Sequence, residues 1–186
     1  MISSTRHSII VSLIGDLEIP LLKQVRNEIS RVFAIPTETV PFLSDLEFAF
    51  NQGRGQYHST MILEKLADLA PSYAIKVLAI VKVDLYIPIL THVYGEAQLG
   101  GKACMVSTFR LMEKLPAINS LEYFYQRTAK EAVHELGHAF NLRHCRDQAC
   151  IMHYCRSIED VDKKSDQLCH YCRVLLEDAK KRIRKV

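Results

Sequence analysis

The stretch His134-Glu135-Leu136-Gly137-His138-Ala139-Phe140-Asn141-Leu142-Arg143-His144 sets three imidazoles and one carboxylate within eleven residues. In a helix of about 100° and 1.5 Å per residue, His134 and His138 project from one face about one turn apart, close enough to share a metal ion. Glu135 flanks them, where it can act on a metal-activated water without being a ligand, as a general base requires. Were the helix to run on, His144 would stand roughly 15 Å beyond His134 and point about 80° away. The helix is therefore expected to stop after His138 and the chain to fold back. Asn141 is placed to make the turn, because Asn is the best non-Gly residue for a left-handed helix terminus.

The other side of this helix reads as core. Leu121, Phe124, Tyr125, Ala129, Ala132, Leu136, Ala139 and Phe140 recur at three- and four-residue spacing, and Leu136 lies about 200° around from His134. Asn119 or Ser120 is the expected N-cap, giving a helix of about twenty residues that ends near Asn141. One face is then buried and the opposite face carries the chemistry.

Downstream, His144 and Cys145 are adjacent, and in an extended segment neighbouring side chains point to opposite sides, so one can serve each of two metals. Cys145, Cys150, Cys169 and Cys172 form a four-thiolate set whose last pair has knuckle spacing, as in closed tetrahedral zinc sites. A pair of disulfides is the alternative, disfavoured in a reducing cytosol. Cys155 and His170 are rivals for a ligand place, whereas Cys104, within an apolar strand, is expected as a buried hydrophobe.

These residues resemble a family. The metzincin pattern is His-Glu-x-x-His-x-x-Gly-x-x-His followed by a Met-turn, here with Asn141 where Gly is usual. With His144-Cys145, Cys150-Ile151-Met152 and Cys169-His170-Tyr171-Cys172 following in order, the chain resembles the archaemetzincins. The resemblance implies a zinc-dependent peptidase with two Zn2+ per chain. His134, His138 and His144 would hold the catalytic ion, Glu135 would be the base, and Met152 would form the Met-turn under the metal. The four cysteines would bind a structural zinc. The segment Cys150-Ile151-Met152-His153-Tyr154 is also similar to the Met-turn of astacins and serralysins, which makes Tyr154 the candidate donor to a developing oxyanion. The implied fold is a compact metzincin-like α/β (α+β) domain over 1–186. It would have a mixed twisted sheet and long active-site helix in 1–141, and a small zinc-stabilised C-terminal subdomain in 142–186.

The rest of the chain agrees with that outline. With 186 residues, 48% of them hydrophobic, it can bury one core, so a single domain is expected. Arg6 and His7 precede an apolar run, Ile9 to Ile14, too short for an export signal, and nothing approaches a membrane span; a cytoplasmic location is expected. Ile9–Ile14 should be a buried strand, followed by a helix from about Pro20 with Leu22, Val25, Ile29, Val32 and Phe33 inward. A polar loop, Asn51 to His58, leads to a helix from about Thr60 that Pro71 ends. Val77 to Val83 suggests a central strand covered on both faces. Val93–Gln98 and Ala103–Phe109 flank Gly100-Gly101, a hairpin signal. Metzincins generally hold substrate along an edge strand, and Val93–Gln98 is the candidate by chain order, with Gly95 permitting a bulge or a close approach.

A net charge of +3 is too small to argue for nucleic acid. Lys180, Lys181, Arg182, Arg184 and Lys185 follow Val174, Leu175 and Leu176 on an amphipathic helix whose basic face should be solvated. His58, His92, His153 and His170 lack clear metal spacing and are expected at the surface or beside a site. The expected partner is a peptide or protein substrate, with no nucleic acid, no membrane, and a monomeric chain. Two competing readings are a non-catalytic zinc module that mediates protein or nucleic-acid interaction, and thiol redox chemistry at Cys169 to Cys172.

Overall fold

The structure is a computed structural model that describes residues 7–16, 18–41 and 43–183. Arg6, Arg184 and Lys185 lie outside the described residues. Among the described residues, eight strands and five α-helices follow the order β1 (Ser8–Ile14), α1 (Ile19–Phe33), β2 (Thr37–Thr39), β3 (Phe50–Asn51), β4 (Gln56–His58), α2 (Ser59–Leu69), β5 (Ala74–Val81), β6 (Leu85–Tyr86), β7 (Gly95–Ala97), β8 (Ala103–Ser107), α3 (Ser120–Ala139), α4 (Ile158–Lys163) and α5 (His170–Ile183).

The main sheet has five strands in the order β2-β1-β5-β8-β7. The first four are parallel and β7 runs antiparallel to β8 as the edge. Strands β3, β4 and β6 form a smaller sheet beside it. β5 is central because its side chains are apolar on both faces and alternate between two cores. Leu78 and Ile80 join Ile9, Val11 and Val106 under α1 and α3. Ala79 and Val81 join Met105 under Ile62, Leu63 and Leu66 of α2. β5 starts at Ala74 and ends at Val81, so the strand expected from Val77 to Val83 is shifted toward the N-terminus.

Three other expectations are corrected. Leu121 is 52% exposed, because residues 119–123 form an exposed first turn of α3 and burial begins at Phe124. Asn119 precedes the helix as expected, but at φ 59°, with no side-chain capping bond. On α1 the fully buried line is Leu21, Val25, Ile29 and Phe33, a four-residue spacing that leaves Leu22 and Val32 at its margins. On α5 the line Cys172, Leu176, Lys180 faces inward. Lys180 is therefore buried rather than solvated, with its ammonium 2.9 Å from Glu177, while Val174 and Leu175 are exposed. Among the described residues, no helix is long and apolar enough to cross a membrane.

Candidate active site

α3 ends where the spacing requires. Asn141 takes φ 69°, its amide donates to the His138 carbonyl (2.8 Å), and the Leu142 amide donates to the Gly137 carbonyl (2.9 Å). This left-handed turn satisfies the last carbonyls and sends the chain back. His144 thereby meets the two helical histidines: His138 Nε2 lies 3.1 Å from His134 Nε2 and 3.2 Å from His144 Nε2.

The tautomers follow from the partners. His134 Nδ1 faces the Ile151 carbonyl (2.8 Å) and His138 Nδ1 faces the Leu142 carbonyl (2.7 Å). A carbonyl only accepts, so both rings donate from Nδ1 and leave Nε2 as a bare lone pair. Burial holds all three imidazoles below their ordinary range, His144 at about 4, so they stay neutral. The bare lone pairs of His134 and His138, 3.1 Å apart, repel one another unless a cation sits between them. A tetrahedral ion with Zn–N bonds of 2.0–2.1 Å sets its nitrogens about 3.3 Å apart, which these separations fit.

Glu135 is only 6% exposed. Burial raises its carboxyl pKa well above the usual range, and Glu131 adds to the rise while Lys164 opposes it. The chemical face of α3 is thus enclosed rather than open, a correction to the simple two-faced helix, because residues after Asn141 fold back over it. Glu135 and the three histidines line a cavity of about 340 Å³ together with residues 90–97.

Of the two readings of Gly95, the structure shows the close approach. A Cβ there would lie 2.7 Å from Glu135 Cγ, 2.8 Å from Glu135 Oε1 and 2.5 Å from the Met105 carbonyl. Gly95→Ala is therefore expected to displace Glu135 or β7 and to lower kcat/KM by about 10²-fold while metal content by elemental analysis is unchanged. Full activity in that variant would mean the wall yields without consequence.

Met152 is fully buried beneath the same helical turn, where a Cβ on Gly137 would collide with its sulfur. Tyr154 is 46% exposed and lines the cavity, its ring centroid 4.9 Å from that of His144. β7 spans only Gly95–Ala97, shorter than expected, although Val93 bridges to Leu85.

The cysteines gather as the spacing suggests. The sulfurs of Cys145, Cys150, Cys169 and Cys172 all lie within 4.8 Å of one another, and those of Cys145 and Cys169 are 3.7 Å apart. That is close to the roughly 3.8 Å edge of a tetrahedron with Zn–S bonds of 2.3 Å, and none of the four is in a disulfide. The Cys169 amide points at Cys150 Sγ (3.3 Å) and the Cys172 amide at Cys169 Sγ (3.5 Å), which favours thiolates. Cys155 and His170 stand outside the cluster: Cys155 lines the active cavity and His170 is exposed. His153 sits beside it, with Nδ1 3.0 Å from the Cys145 carbonyl, and Cys104 is buried in β8.

Two groups on the cavity wall escaped sequence reasoning. Lys164 is 1% exposed and its ammonium lies 2.6 Å from Glu131 Oε1. Glu131, four residues before Glu135, was detectable as a polar break in the core pattern. Lys164 carried no local signal, since its partner is thirty-three residues away.

Known proteins resemble this chain in sequence and fold. The profile of peptidase family M54 matches residues 4–178. The archaemetzincin of Methanocaldococcus jannaschii is 34% identical over 171 residues, covering 91% of this chain and 93% of that protein. The crystal structure of archaemetzincin from Methanopyrus kandleri superposes with a TM-score of 0.81 at 29% identity, over 96% of this chain and 98% of the other. A zinc-dependent peptidase from Methanocorpusculum labreanum gives 0.77 at 26% identity, over 91% and 100%. With that fold and this much of the sequence in common, the chain belongs to peptidase family M54, that of the archaemetzincins, and is a zinc metallopeptidase.

Proposed function

We propose that the enzyme hydrolyses peptide bonds in the cavity over α3, with His134, His138 and His144 holding the catalytic zinc and Glu135 as general base. Bound by His134, His138 and His144, zinc would supply a Lewis acid able to polarise a carbonyl and to lower the pKa of water to about 7. Glu135 takes the proton of the attacking water on a carboxylate oxygen and delivers it to the leaving amine. Its raised pKa suits that exchange, because a proton carrier works best when its pKa nears the working pH. Tyr154 donates its hydroxyl to the carbonyl oxygen as charge develops there. The free edge of β7 pairs with the substrate main chain, and Met152 serves as the Met-turn.

The four cysteines hold the second, structural zinc, so each chain carries two ions. Unpaired cysteines persist where the surroundings are reducing, and a cytoplasmic location is in keeping with that. The chain is proposed to act as a monomer. One core includes both Ile9 and Leu176, in keeping with a single domain over 1–186 in which 1–141 and 142–186 are subdomains.

The observation that carries the proposal is the convergence of three imidazole Nε2 atoms beside a buried carboxylate on the wall of a cavity. The test is incubation of the two-zinc protein with a mixed peptide library. Cleavage that a chelator stops and added zinc restores is the expected result; no cleavage by fully loaded protein would refute it.

A further inference from the structure

We propose that the pocket formed by Glu131, Lys164 and Arg156 selects an acidic side chain, glutamate above all, next to the bond that is cut. The inference rests on the peptidase reading and adds a substrate class to it.

The pocket is a continuation of the active cavity, whose wall includes all three residues. Glu131 precedes Glu135 by one helical turn, an axial rise of about 6 Å, which is the reach of a glutamate side chain from a carbonyl lying beside Glu135. Lys164 is buried, and an ammonium has three N–H donors. Its nitrogen lies 2.6 Å from Glu131 Oε1 as an ion pair, without the geometry of a hydrogen bond. The Lys164 ammonium also lies 3.4 Å from His134 Nδ1, but that nitrogen already donates to the Ile151 carbonyl and offers no lone pair. Donor capacity is therefore left at the inner end of the pocket. Arg156 is exposed at the rim, and among the described residues no carboxylate lies within 4.0 Å of its guanidinium.

The charges decide the preference. Glu131 and Lys164 cancel, which leaves Arg156 as the excess charge of this end of the cavity. Of the two other wall carboxylates, Glu135 stands beside the reacting carbonyl, and Glu96 accepts hydrogen bonds from the Ser59 and Thr60 hydroxyls at the first turn of α2. A carboxylate in the pocket accepts from Lys164 and Arg156 together, and charge-assisted bonds of this kind are the strong ones. A lysine head would meet two like charges. A leucine would cover buried N–H groups and give them no partner.

The test uses two-zinc Glu135→Gln protein, in which cleavage is expected to be slow enough for binding to be measured, and calorimetry on blocked peptides that carry Glu, Gln, Leu or Lys on either side of one bond. At one of the two positions Glu is expected to bind at least about tenfold more tightly than Leu or Lys, with Gln between. Adding Arg156→Glu, an exposed substitution that leaves the buried pair intact, is expected to reverse the order of Glu and Lys. Equal affinities, a preference for Leu or Lys, or no binding by any peptide would overturn the proposal. The wild-type library experiment stands apart: chelator-sensitive cleavage without acidic preference fails this inference alone, whereas no cleavage fails the peptidase reading.

Discussion

Glu135→Gln is expected to lower kcat by about 10²–10⁴-fold, the usual contribution of a positioned proton carrier, while the histidine site keeps its zinc. Glutamine is nearly isosteric, so it fits against Gly95, whose missing side chain leaves the carboxylate its place. What it lacks is the ability to accept a proton. The histidines keep their tautomers because those are fixed by the Ile151 and Leu142 carbonyls and not by Glu135. Single-turnover cleavage together with zinc content separates the base role from a structural one. A metal-replete variant that cleaves at the wild-type rate would remove Glu135 from the mechanism.

Cys172→Ala is expected to have the largest effect on stability. Elemental analysis of the parent should return two zinc ions per chain, and the variant should lose at least the one held by thiolates. Structural zinc sites in small domains contribute on the order of 10 kcal/mol, comparable to the whole stability of an ordinary domain. Cys172 lies on the buried line of α5, and Cys145 is bonded directly to the residue that carries the third imidazole. Loss of the cluster therefore frees His144 as well as α5. We expect the thermal transition to fall sharply or vanish, and the remaining zinc to be held more weakly. A variant that melts with the parent would show that the cysteines bear no load.

Much of this was legible because the informative residues are close in sequence and obey one period. The positions of His134, Glu135 and His138 follow from 3.6 residues per turn, and the turn at Asn141 follows from where His144 must go. The division of His144 and Cys145 between two sites follows from the alternation of an extended chain. What escaped depends on contacts distant in sequence. Lys164 is buried by a helix thirty residues upstream, and Lys180 by continuing the line of Cys172 and Leu176 into the core. Leu121 failed oppositely: its period is correct, but no element covers the first turn of α3. Periodicity identifies the side of a helix that can be buried; it does not say where the covering layer ends.

The carbonyl of His138 takes part in more than the helix. It accepts the Asn141 amide and also the Gly100 amide from the tip of the β7–β8 hairpin (2.9 Å), and Gly100 packs against the Asn141 side chain. The strand proposed to pair with a substrate and the bend that returns the third imidazole thus share one oxygen atom as a hinge pin. Grafting a longer tip between Gln98 and Lys102 would loosen ion retention far from the graft, so redesign of selectivity is better attempted elsewhere on the rim than at that tip.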